Sequence, residues 1–91
     1  MLNYDETSGI LKALGHPVRL RIAEGLLLKN ECNVQMMVKA LGLPQSTVSQ
    51  HLAILKSHGI LRIRKDGTKS CYRICDKRVK GLIGSLRKGE V

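Results

Sequence analysis

Four stretches of helical apolar spacing, a short alternating segment and a fifth helical stretch predict a mainly α chain with a small β-hairpin, in the order ααααββα. Three observations carry that prediction. Apolar residues recur three and four apart through residues 5–58. Gly42 and Pro44 separate two of these runs at the spacing of a helix-turn-helix corner. Residues 60–75 alternate apolar with basic or polar side chains around Asp66-Gly67, a strong hairpin signal. Together they describe a winged helix-turn-helix.

The first helix is expected to begin near Asp5 or Glu6, whose carboxylates suit a helix N-terminus, and to run through Ile10, Leu11 and Leu14 to a stop at Gly15. His16-Pro17 breaks the chain and restarts it, because proline fits the first turn of a helix. Val18, Ile22, Ala23 and Leu26 then share one face up to about Leu28, and Lys29 to Glu31 read as a loop. Asn33 suits the N-cap of a third helix that buries Val34, Met37, Val38 and Leu41 and ends where Gly42 turns left-handed.

The fourth helix is expected over 44–58, with Val48, Leu52 and Leu55 on the stripe that anchors it. Its free face carries Gln45, Ser46, Thr47, Ser49 and Gln50, which are side chains able to reach base edges or phosphates. His51 lies at the edge of that face and suits either a phosphate contact or a structural role at the helix-wing boundary. Gly59 ends this helix, and residues 60–75 form the wing. Placing Asp66-Gly67 at the centre of the turn pairs Ile63 with Ser70 and Leu61 with Tyr72. Arg64, Lys65 and Lys69 then lie near the tip, where they would meet phosphates or a minor groove. The last helix, 76–88, starts at Asp76 and places Val79, Leu82, Ile83 and Leu86 on one face.

Composition narrows the function. Ninety-one residues make a single domain, 1–91, with a thin core that a second subunit would relieve. The terminal helices, 5–14 and 76–88, are the expected homodimer seam, through Ile10, Leu11, Leu14, Val79, Leu82, Ile83 and Leu86. Sixteen Lys plus Arg against seven Asp plus Glu leave a net charge of +9, which steers the chain toward a polyanion. Phe and Trp are absent, so the aromatic platforms that stack single-stranded bases are missing and double-stranded DNA is the favoured partner. No apolar run approaches the roughly 20 residues of a membrane span, and the acidic N-terminus is unlike a signal peptide. Three unpaired cysteines suit a reducing compartment, so a cytoplasmic location without membrane association is expected. No nucleophile with an ordered base and no Gly-rich phosphate loop is present, which argues against an enzyme and calls for no cofactor.

The segments LKALGHPVRLRI (11–22), LPQSTVSQHL (43–52) and DGTKSCYRI (66–74), in that order, resemble the ArsR/SmtB family of bacterial transcriptional repressors. The resemblance covers nearly the whole chain. It implies a homodimer of winged-helix subunits on a pseudo-palindromic operator, with the first and last helices at the interface. It also allows the family's metal sites to be checked position by position. Where arsenic- and cadmium-sensing members carry a Cys-x-Cys pair, this chain has Asn33 and Gln35, and Cys32 is one residue off, a helical rotation of about 100°. Where zinc-sensing members carry an Asp-x-His pair, Asp76 is present but Arg78, which cannot ligate zinc, replaces the histidine, and no later ligands follow. The pattern is similar to the metal-independent PagR-type members, with no metal expected.

The expected function is therefore a homodimeric, sequence-specific transcriptional regulator, a repressor, that binds its operator through helix 44–58 and the 60–75 wing. Three alternatives stay open. Cys71, on the basic wing face opposite Arg62, suits either a redox-responsive thiol or an inert strand residue. Cys71 and Cys75 are about 13 Å apart along a strand, too far for a mutual disulfide. The remaining alternatives are a winged-helix RNA-binding module and a protein-interaction module. His16 and His58 read as structural.

Overall fold

A computed structural model describes residues 1–29 and 32–89. Helix α1 (Tyr4–Leu14) starts slightly earlier than its acidic residues suggest, because the Asn3 side chain accepts the Glu6 N–H at 3.0 Å and caps it. Helix α2 (Pro17–Lys29) opens on the expected proline and takes in Lys29; Asn30 and Glu31 of the expected loop lie outside the described residues. Strand β1 (Cys32–Asn33) leads directly into α3 (Val34–Leu41). Asn33 caps α3 as predicted, accepting the Met36 N–H at 2.9 Å. Helix α4 (Gln45–Ser57) follows, with Pro44 and His58 as its end residues. Strands β2 (Leu61–Asp66) and β3 (Lys69–Ile74) form the wing, and α5 (Lys77–Lys88) closes the chain with Asp76 accepting N–H bonds from Arg78 and Val79.

Two sequence expectations are corrected. The wing is not an isolated hairpin but part of a three-stranded antiparallel sheet in the order β1-β3-β2, with Cys32 opposite Tyr72 and Asn33 opposite Cys71. Two residues are too few to show any alternation, so nothing in the sequence marked β1 as a strand. The hairpin register also differs. Leu61 pairs with Ile74, Ile63 with Tyr72 and Asp66 with Lys69, so Gly67 and Thr68 form the turn. Gly67 has φ 64°, and the turn seats this glycine at its first central position rather than its second. The slip is two residues on one strand, which preserves the faces: Leu61 and Ile74 are buried while Arg62 and Arg73 are exposed.

One apolar core joins all five helices to the base of the wing. Ala23, Val48, Leu55 and Ile60 have no solvent exposure, and Leu26, Leu52, Leu61 and Val79 have almost none. Val34, Val38 and Leu41 pack against this core only partly buried, with Met37 the fully enclosed residue of α3. Among the described residues no charged or polar side chain is buried, so α4 is held by apolar contact and the desolvation cost of buried polar groups is avoided. No described helix is long and apolar enough to cross a membrane.

The corner between α3 and α4 rests on Gly42, which takes the left-handed conformation at φ 66°. Nothing lies within 4 Å of where its Cβ would stand, so a side chain there meets only backbone strain. Gly42→Ala should lower unfolding free energy by about 1–2 kcal/mol, and Gly42→Asn by less, because asparagine tolerates the left-handed region. Urea unfolding of the three proteins checks this, and equal midpoints for Ala and Gly would show that the corner has relaxed.

Candidate nucleic-acid interface

Val48, Leu52 and Leu55 turn one side of α4 into the core and leave the other side outward. On that outward side Gln45, Ser46, Ser49 and Gln50 are exposed and Thr47 is half-buried. The wing carries Arg64, Lys65 and Lys69, all exposed, on the strands that follow. The register sets Lys65 opposite Ser70 and Asp66 opposite Lys69, so an acid tempers the charge at the tip. The Gln45 side of α4 and the wing tip meet in one recess with Asn33, Val34, Gln35, Thr68, Lys69 and Ser70. Nothing in the sequence marks Gln35 and Thr68 as parts of a DNA-facing surface, because only the sheet pairing of β1 with β3 brings the start of α3 beside the wing.

His51 turns away from this face. Its ring is 4.6 Å from that of His16, tilted by 44°, and its Nδ1 is 3.5 Å from Nη1 of Arg19. Arg19 is held in turn by its Nε, which donates to the Ala13 carbonyl at 2.6 Å. His16 contributes a second structural bond, accepting the Val18 N–H at Nδ1 across the first turn of α2. The cluster clamps α4 to the corner between α1 and α2. His58 ends α4 beside α1, where a Cβ on Gly9 would lie 3.1 Å from its ring.

The residues expected at a dimer seam divide into two sets. Ile10, Leu14, Val79 and Ile83 are buried within the subunit itself, where they hold α1 and α5 in place. Leu11 (52% exposed) and Leu86 (57%) remain outward, and Leu82 is half-buried. Tyr4, at the start of α1, is also exposed and adds an aromatic ring to this outward set. The two helices are joined at their polar edge by Arg78, which bridges to Glu6 at 3.0 Å and to Asp76 at 2.8 Å. The Arg78 guanidinium beside it holds the Asp76 carboxyl below the usual carboxylate range, despite partial burial. The position of the zinc-type Asp-x-His pair is thus occupied by an ion pair.

Among the described residues no disulfide joins the three cysteines, and the pairing of Cys32 with Tyr72 and of Asn33 with Cys71 sets Cys32 and Cys71 on neighbouring strands. Cys32 is buried, and burial pushes its thiol up against the opposing effect of Lys29. Cys71 is half-buried and stands opposite Arg64 rather than the expected Arg62. Cys75 follows β3, and its thiol donates to the Gly59 carbonyl at 3.4 Å.

The family model for bacterial regulatory proteins of the arsR family matches residues 16–62 of this chain. Among curated relatives, the uncharacterized HTH-type transcriptional regulator MJ1325 of Methanocaldococcus jannaschii is 42% identical over 83 residues, covering 91% of this chain and 93% of that protein. The transcriptional repressor PagR of Bacillus anthracis is 34% identical over 85 residues, covering 93% of this chain and 85% of the repressor. The crystal structure of PagR superposes with a TM-score of 0.84 over 91% of this chain and 94% of that one. The homodimeric winged helix-turn-helix DNA-binding domain Mb0332 from Mycobacterium bovis, solved by NMR, has a TM-score of 0.85 at 32% identity, covering 93% and 78% of the two chains.

The His51 clamp has a pH signature. Desolvation, then the neighbouring His16 and Arg19, lower the His51 pKa from its ordinary 6.5. The unfolded chain therefore binds more protons at this site, so its contribution to stability is complete above pH 6.5 and is lost as pH falls through the depressed folded value. Wild-type stability should fall more steeply below pH 6.5 than that of His51→Gln. Parallel denaturation curves for the two proteins at every pH would remove His51 from the account.

Proposed function

The chain belongs to the arsR family of bacterial regulatory proteins, and from that premise we propose that it is a homodimeric, sequence-specific DNA-binding transcriptional repressor. The observation that carries this reading is the shared surface of α4 and the wing, an uncharged hydrogen-bonding helix face beside basic strands. The helix suits a major groove, where Gln45 and Gln50 can each make a bidentate contact to adenine and Ser46, Thr47 and Ser49 can reach neighbouring bases or phosphates. Arg64, Lys65 and Lys69 suit the flanking backbone or minor groove. PagR and Mb0332 support the reading as a named repressor and a named homodimeric DNA-binding domain.

The dimer is supported by the outward apolar residues of α1 and α5, chiefly Leu11, Leu82 and Leu86. An apolar cleft between these helices, lined by Ile10, Leu11, Val79 and Leu82 with Thr7 and Arg78 at its edge, gives a partner side chain somewhere to enter. The buried members of the predicted seam would then act indirectly, by fixing the two helices that carry the exposed ones. In this reading the protein works in the cytoplasm, catalyses no reaction and holds no metal, since Arg78 neutralises the carboxylate that a zinc ion would need.

Selection of bound duplexes from a random pool should yield an inverted repeat with half-sites about one helical turn apart. Absence of enrichment, with preferential capture of structured RNA or of no nucleic acid at low salt, would replace the reading with an RNA-binding or a protein-interaction module. On the selected operator, Gln45→Ala or Gln50→Ala should cost about 1–3 kcal/mol while leaving random-duplex binding nearly unchanged. Equal losses on both DNAs would make the glutamine a positioning residue instead. Leu11→Glu combined with Leu86→Glu should yield a folded monomer by sedimentation, and a persisting dimer would move the interface elsewhere.

A further inference from the structure

Resting on the DNA-binding reading, we propose that the trench between α3 and the wing seats the DNA sugar-phosphate backbone, with Gln35 and Lys39 of α3 as phosphate contacts alongside Lys69 and Thr68. Two adjoining recesses make up the trench. The first, of about 300 Å³, lies between the start of α4 and the wing tip and is lined by Gln35, Gln45, Thr68, Lys69 and Ser70 among others. The second, of about 470 Å³, continues along α3 from Gln35 and Lys69 to Lys39. Asn33, Gln35 and Lys69 line both, so the two form one continuous channel.

Its chemistry fits a polyanion. Lys69 and Lys39 supply cations, the amides of Gln35 and Gln45 and the hydroxyls of Thr68 and Ser70 supply donors, and among the described residues no Asp or Glu lines either recess. Asp66, opposite Lys69 in the ladder, offsets part of that lysine's charge, which raises the importance of Lys39. The position follows from the docking itself. A duplex that admits α4 into its major groove has a backbone strand at the groove's edge, and the space between α4 and the wing is where that strand passes. Pairing of Asn33 with Cys71 ties the start of α3 to β3, so both walls of the trench belong to one unit.

The test is the salt dependence of binding, on both a selected operator and a random duplex, for wild type, Lys39→Gln, Lys69→Gln and the double variant. In a homodimer each substitution removes two phosphate contacts, so each should flatten the plot of log K against log salt by about 1.8, and the pair by about 3.6, equally on both DNAs. Gln35→Glu, which sets a carboxylate at the first turn of α3 where a helix welcomes it, should weaken both complexes by at least about tenfold. Lys80→Gln on α5 removes the same charge away from the trench and should leave the slope unchanged. If wild type binds with a steep slope while the trench variants match it, the trench is wrong and the DNA-binding reading stands. If Lys80→Gln flattens the slope as much as Lys39→Gln does, net charge rather than the trench is responsible. If wild type binds no duplex, both readings fall together.

Discussion

The apolar stripe of Val48, Leu52 and Leu55 is the constraint on which the rest of the molecule depends. These three side chains enter a core shared by α1, α2, β2 and α5, and being fully enclosed they fix the rotation of α4 about its own axis. A helix that could roll would present a changing set of polar residues, and a groove would read an average. Interiors packed at crystalline density do not permit such a roll without opening voids. The chemical identity of the outward face is thus decided by residues that never touch a ligand.

A second layer of fixation is polar and lies at the edges of that core. Arg19 links the Ala13 carbonyl to His51, and His16 completes the clamp by capping α2 and packing against the same imidazole. On the opposite side, Arg78 ties the first turn of α5 to α1 through Glu6, and Arg87 ties its last turn to Glu24 of α2 at 3.1 Å. Exposed pairs of this kind contribute modestly, and their value here is orientation rather than stability.

Much of this was legible in the chain because the signals are local. Asn33, Gly42, Gly59 and Asp76 act at the helix ends where their chemistry placed them, and the stripe of α4 follows directly from three- and four-residue spacing. The parts that stayed hidden depend on distant neighbours. A two-residue strand has no period, and its pairing with Tyr72 and Cys71 requires residues some forty positions away. The turn at Gly67 and Thr68 against the expected Asp66 and Gly67 was a choice between adjacent registers of the same parity, which alternation cannot resolve. His51 looked like an edge residue of the polar face because spacing gives an angle on the helix but not what stands opposite it. In the same way, periodicity marked Ile10, Leu14, Val79 and Ile83 as apolar and facing something, without saying that the something is their own subunit.

Strand β3 lies between two partners, and this shapes how the wing can change over generations. Insertion of a single residue within Lys69–Ile74 would exchange the two faces of the strand downstream, sending Arg73 toward the core and Ile74 to the surface, while breaking register with β1 and β2 at once. Length can therefore vary freely only beyond the paired residues, at Gly67 and Thr68. Descendants of this chain are expected to diversify their reach along DNA by lengthening or shortening that tip, and to keep the strand between its two neighbours at constant length.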